Sequence, residues 1–233
     1  MNSFNTLDYT HKADAASGAL FAAAQRGEVG RVTALLEAAD TREITVQKEM
    51  HGALQIAIRN DFPGVVRVLC AAGAHFGLAV RKWNIMFTFP VRGFSITGRD
   101  FQPIHLAASV GSASCIAEFA SHFQVNAGVR DGFLDTPLHW ACRFAQVDAI
   151  RGLLAVRANA AVPNDANDTP LEVAVGYGHI RCVKVLVATR LEDCVLLQRA
   201  RNRKRHTYDS GRAITSLLDR ALRLRTQSAK TAE

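Results

Sequence analysis

Thr136-Pro137-Leu138-His139 is followed 33 residues later by Thr169-Pro170-Leu171-Glu172, and Gln102-Pro103-Ile104-His105 stands 34 residues before it. A phrase restated at so constant an interval points to a stack of like modules, because periods of roughly 20–50 residues mark one supersecondary unit that cannot bury its apolar face alone. Upstream, Gly18-Ala19-Leu20-Phe21 and Gly52-Ala53-Leu54-Gln55 are again 34 apart. From Gly52 to Gln102 the interval is 50, which leaves room for one module and an insertion of about 16 residues.

Within each module a proline after threonine suits a first helical turn, where its missing N–H has no partner to lose, and the threonine can cap the helix. The first helices read Ile104-His105-Leu106-Ala107-Ala108, Leu138-His139-Trp140-Ala141-Cys142 and Leu171-Glu172-Val173-Ala174-Val175. Second helices follow as Val65-Val66-Arg67-Val68-Leu69, Ile150-Arg151-Gly152-Leu153-Leu154 and Val183-Lys184-Val185-Leu186-Val187, with turns at Gly27, Gly111 and Gly178-His179. This pattern resembles the ankyrin repeat, whose units read Thr-Pro-Leu-His-x-Ala-Ala, then Gly-His, then a Val/Leu-rich helix ending near Gly-Ala. The sequence departs from it at Asp61 and Ala145, where the inter-helix glycine is usual, and at Leu134, where a fingertip glycine is usual.

The expected fold is therefore all-α: an ankyrin-repeat solenoid of about five helix-turn-helix units spanning 18–189, after a polar lead-in at 1–17. Between repeats two and three, residues 77–101 alternate Trp83, Ile85, Phe87, Phe89 and Val91 with more polar neighbours. That period of two predicts a strand, and Arg92-Gly93 a turn, so the insertion reads as β-hairpin-like, either a finger packed on its own repeats or a partner-binding arm. Residues 190–233 form a basic tail with 11 Lys or Arg against 5 Asp or Glu, which holds most of the net charge of +7. There Ile214, Leu217, Leu218, Ala221 and Leu224 recur at helical spacing, giving a C-terminal helical cap or a free partner-binding helix.

Cofactor and catalytic signatures are missing: no G-x-S-x-G, no phosphate-cradling G-x-x-x-x-G-K and no H-E-x-x-H. The pair His139 and Cys142 shares a helix face, but no spacing supplies two further ligands, so no metal is expected. The resemblance gives His105 and His139 a structural task, holding fingertip backbone. We expect no enzyme, no cofactor and no small-molecule substrate. The five cysteines form no C-x-x-C pair and read as reduced and buried, which implies an intracellular protein, cytoplasmic or nuclear. No apolar stretch is long enough to span a membrane, and Met1 to Asp14 reads as neither secretory signal nor transit peptide.

The resemblance implies a non-catalytic adaptor or scaffold that binds an intracellular protein, within a larger assembly or alone, through fingertips and the ends of first helices. Those positions are Arg59, Asn60, Phe133, Asp135, Arg143, Phe144, Asp168 and Tyr177. The aromatic-and-arginine mix is that of interface hot spots, although such rings also pack between repeats. Arg199, Arg201, Arg203, Lys204 and Arg205 have three readings: a solvated helix end, a nuclear-import signal, or a contact to nucleic-acid phosphates. The last two define the alternative function, a nuclear or nucleic-acid-associated regulator.

Overall fold

The computed structural model describes residues 15–41, 44–74, 102–121, 128–188, 194–202 and 211–230. The hairpin expected at 77–101 lies outside them. By internal contact the chain divides into two units, 1–75 and 76–233. Among the described residues every regular element is a helix.

The first unit contains α1 (Ala15–Arg26), α2 (Val29–Glu37), α3 (Ile44–Arg59) and α4 (Pro63–Ala71). First helix packs on first and second on second, α1 against α3 and α2 against α4. Ala23, Ala24, Ala53 and Ala57 are fully buried, and their small side chains let the helices approach closely. Helix α3 begins at Ile44, eight residues ahead of the start expected near Gly52, because no proline or cap interrupts the run and Met50 is buried within it.

The second unit contains α5 (Pro103–Val110), α6 (Ala113–Ser121), α7 (Pro137–Arg143), α8 (Val147–Ala155), α9 (Pro170–Gly176), α10 (Ile180–Ala188), α11 (Cys194–Asn202) and α12 (Gly211–Lys230). Proline opens α5, α7 and α9. Apolar layers alternate along the stack: Ile104 and Leu106 on α5, Leu138 on α7 and Leu171 on α9 are buried, as are Ile116, Ile150 and Val183 on the second helices between. The last pair keeps the same order, α11 on α9 and α12 on α10, with Leu197, Ala200, Ile214 and Leu218 buried. The cysteines are less uniform than expected: Cys115, Cys142 and Cys182 are buried, Cys70 is half-buried and Cys194 is exposed.

What recurs most faithfully is the turn between paired helices. Its backbone closes by Glu28 N–H to Ala23 O, Phe62 N–H to Ala57 O, Ser112 N–H to Ala107 O, Gln146 N–H to Ala141 O and His179 N–H to Ala174 O, all at 2.9–3.0 Å. Each bond spans five residues, the signature of a Schellman C-cap, which needs a left-handed residue one position earlier. Gly27, Gly111 and Gly178 supply it, and Asp61 (φ 54°) and Ala145 (φ 60°) adopt it despite their Cβ atoms. Leu134 does the same at the fingertip, with φ 57°. A non-glycine residue pays about 1–2 kcal/mol for that conformation. Ala145 is exposed, so Ala145→Gly removes strain and no packing. It is expected to stabilise the protein by about 1 kcal/mol, read as a higher urea midpoint; an unchanged or lower midpoint would refute the strain.

Neighbouring turns are also bonded to each other. Asn60 Nδ2 donates to Gln25 O at 3.1 Å in the first unit. In the second, Gln146 Nε2 donates to Ser109 O at 3.1 Å and His179 Nε2 to Arg143 O at 3.1 Å.

Candidate partner-binding face

Two loops of the second unit are built alike. In the first, Asp131 N–H donates to Asp135 O at 3.0 Å and Leu134 N–H to Asp131 O at 2.9 Å. The Asp131 carboxylate folds back over this turn, its Oδ1 accepting from Phe133 N–H and Asp135 N–H, each at 2.9 Å. In the second, Asn164 N–H donates to Asp168 O at 2.9 Å, and Asn164 Oδ1 accepts from Asp168 N–H at 2.9 Å. Asn167 takes the left-handed φ of 58° that Leu134 takes in the first. The loops are joined by Asp165 N–H to Phe133 O at 3.1 Å and Asn164 Nδ2 to Asp135 Oδ1 at 2.8 Å.

Helix α7 ties itself to this pair of loops through its N-terminal histidine. His139 Nδ1 lies 3.0 Å from Thr136 N–H and 2.8 Å from its hydroxyl, while Nε2 donates to Asp168 O at 2.8 Å. His105 repeats the N-terminal half of the arrangement one module earlier, accepting from Gln102 N–H at 3.0 Å. Burial drives both imidazoles down to about 4, so each works as a neutral hydrogen-bonding ring. In α9 the same position is Glu172, whose Oε2 accepts Thr169 N–H and hydroxyl at 2.9 Å. Its Oε1 faces Arg199 Nε of α11 at 3.4 Å.

The family model for ankyrin repeats matches residues 104–196, in three copies. These are ankyrin repeats. The chain has no match among curated proteins. The paired loops are ankyrin fingertips, and the histidines do the structural work expected of them.

At the end of the first ankyrin helix α7 an aromatic and charged cluster forms. Trp140 Nε1 donates to Asp131 Oδ2 at 2.8 Å, Phe144 stacks on the indole at 5.7 Å and 13°, and the Arg143 guanidinium sits 5.2 Å from the ring centroid. Arg143 Nη2 also pairs with Asp135 Oδ2 at 2.7 Å. Burial pushes the Asp131 carboxyl up, and its bonds to Phe133 N–H and Trp140 oppose the shift. In the next repeat Tyr177 stacks on His179 at 5.9 Å and 14°, and His179 bonds Arg143 O.

Of the residues expected at the contact surface, Phe133 is 48% and Tyr177 44% exposed, while Arg143, Phe144 and Asp168 are half-buried. Asp135 is 1% exposed; its carboxylate is taken up by Arg143 and Asn164, so it supports the surface from below. Arg59 and Asn60 are exposed at the end of α3, in the first unit. Of the basic cluster, Arg199 pairs with Glu172 and donates to Asn167 O at 2.9 Å, and Arg201 pairs with Asp219. Arg203, Lys204 and Arg205 lie outside the described residues.

Asp131, Trp140 and Asn164 went unnoticed in the sequence. A signal was there, since Asp131 and Asn164 are separated by the same 33 residues as Asp135 and Asp168. No described helix is long and apolar enough to cross a membrane, and among the described residues no cluster of metal-ligand side chains occurs.

Proposed function

We propose that this chain is a non-catalytic adaptor whose ankyrin repeats dock an intracellular protein on the fingertips and first-helix ends of the second unit. Phe133 and Tyr177 reach solvent as the anchors, with Arg143, Phe144 and Asp168 beside them and Arg59 and Asn60 as the corresponding positions of the first unit. The observation that carries this reading is the pair of exposed rings mounted on backbone that is already rigid: fixed aromatics lose little entropy on binding. Ankyrin repeats generally serve as protein–protein interaction modules, which favours a protein over a small molecule as the occupant.

Affinity capture from cells of origin, quantified by mass spectrometry, tests it. Phe133→Ala combined with Tyr177→Ala is expected to reduce recovery of the specific partner by at least tenfold, the scale of about 2 kcal/mol for lost hot-spot rings. Because both rings are exposed, the far-ultraviolet circular dichroism and melting temperature should not move. Undiminished recovery with the fold intact would exclude this face.

A further inference from the structure

Between helices α10 and α12 lies an open cleft of about 350 Å³ lined by Val187, Ala188, Leu217, Ala221 and Leu224 together with Lys184 and Arg220. Leu224 is 56% exposed. The volume is that of a small ligand site or of one or two side chains of a docked segment.

Among the described residues that line it, the charged side chains are of one sign. Helix α10, Ile180–Ala188, carries Arg181 and Lys184, both exposed, and no acidic residue. Among the described side chains of α12, the exposed charged ones after Asp219 are Arg220 and Arg223. The acid of α12, Asp219, is paired with Arg201 of α11. An apolar lining flanked by the cations Lys184 and Arg220 recognises an occupant with apolar side chains on one face and carboxylates on its flanks. That is the helix-in-groove mode, in which anchors at i, i+3 or i+4 and i+7 enter the cleft. A fully apolar occupant would leave the cations desolvated and unpaired, and a basic one would be repelled.

We infer that the α10–α12 cleft is a second docking site, separate from the fingertip face, for an acidic amphipathic helical segment of a partner protein. The site selects by charge and by leucine-sized anchors together.

Fluorescence anisotropy of the full chain tests this with a fluorescein-labelled synthetic peptide, leucine at i, i+4 and i+7 and glutamate on the remaining positions. Saturable binding is expected, reduced about tenfold or more by Lys184→Glu with Arg220→Glu, two exposed positions whose exchange leaves the fold readable by circular dichroism. The same peptide with serine for leucine should bind at least tenfold more weakly. Equal binding of the leucine and serine peptides would overturn the inference by reducing the site to diffuse charge. So would no binding, or binding insensitive to the double exchange. Vesicles containing phosphatidylserine form a further arm: adsorption of the protein to them without peptide binding would assign the surface to lipid and reject the peptide.

Discussion

Acidification from pH 7 to pH 4 is expected to remove several kcal/mol of stability from the second unit, and the loss should begin near pH 6.5. Its origin is the two buried imidazoles, whose folded values of about 4 lie below the ordinary 6.5. As pH falls through 6.5 the unfolded chain takes up protons that the folded chain refuses, so the unfolded state gains stability until the folded rings also protonate near 4. Above 6.5 both states hold neutral rings and nothing is lost. Each histidine contributes up to about 3 kcal/mol, from roughly 1.4 kcal/mol per unit of pKa. Asp131 acts in the opposite sense, since burial raises its carboxyl and the folded chain then accepts that proton more readily. Urea unfolding at stepped pH reads the balance. A midpoint flat from pH 7 to pH 4 would show that the rings protonate in place and that their backbone bonds are weaker than drawn.

Asp131→Ala is expected to be the most damaging single exchange at the fingertips, at about 3–5 kcal/mol, because it strips acceptors from Phe133 N–H, Asp135 N–H and the Trp140 indole together. Without the carboxylate the indole loses its fixed orientation, and Arg143 and Phe144 lose the surface on which they lie. Thermal melting should fall by many degrees and capture of the partner should fall with it. Asp131→Asn separates the contributions. It keeps one oxygen for the backbone amides but turns an NH₂ toward the Trp140 N–H, so an intermediate loss is expected, and equal melting of wild type and Asn would sink the role given to the indole bond. The second fingertip shows why the two loops differ: Asn164 presents its NH₂ to the Asp135 carboxylate at 2.8 Å, where a second aspartate would place two carboxylates face to face. Aspartate faces a donor and asparagine faces an acceptor.

Residue types with local consequences were legible before any coordinates. Pro103, Pro137 and Pro170 mark helix starts because proline fits there and nowhere else in a helix, and the alanines at each turn mark close helix approach. Even the departures were informative, for Asp61, Ala145 and Leu134 stand at the left-handed positions that glycine would fill. Properties that depend on a neighbour in another repeat were not legible. Asp135 looks like an exposed fingertip acid until Arg143 and Asn164 close over it. Arg199 looks like part of a basic tail until Glu172, standing where histidine stands in the earlier repeats, claims it. The early start of α3 was hidden because a helix without proline or a cap carries no written beginning.

The bonds between successive turns have a broader consequence. Glutamine and histidine fill the same station, one residue after the left-handed position, reaching from Gln146 and His179 to the carbonyl of the preceding first helix, and Asn60 reaches the equivalent carbonyl from one residue before its left-handed neighbour Asp61. These links require an N–H at the correct reach, which three chemically unlike side chains supply from two places in the turn. Successive turns are thereby tied together without a fixed residue type at a fixed place.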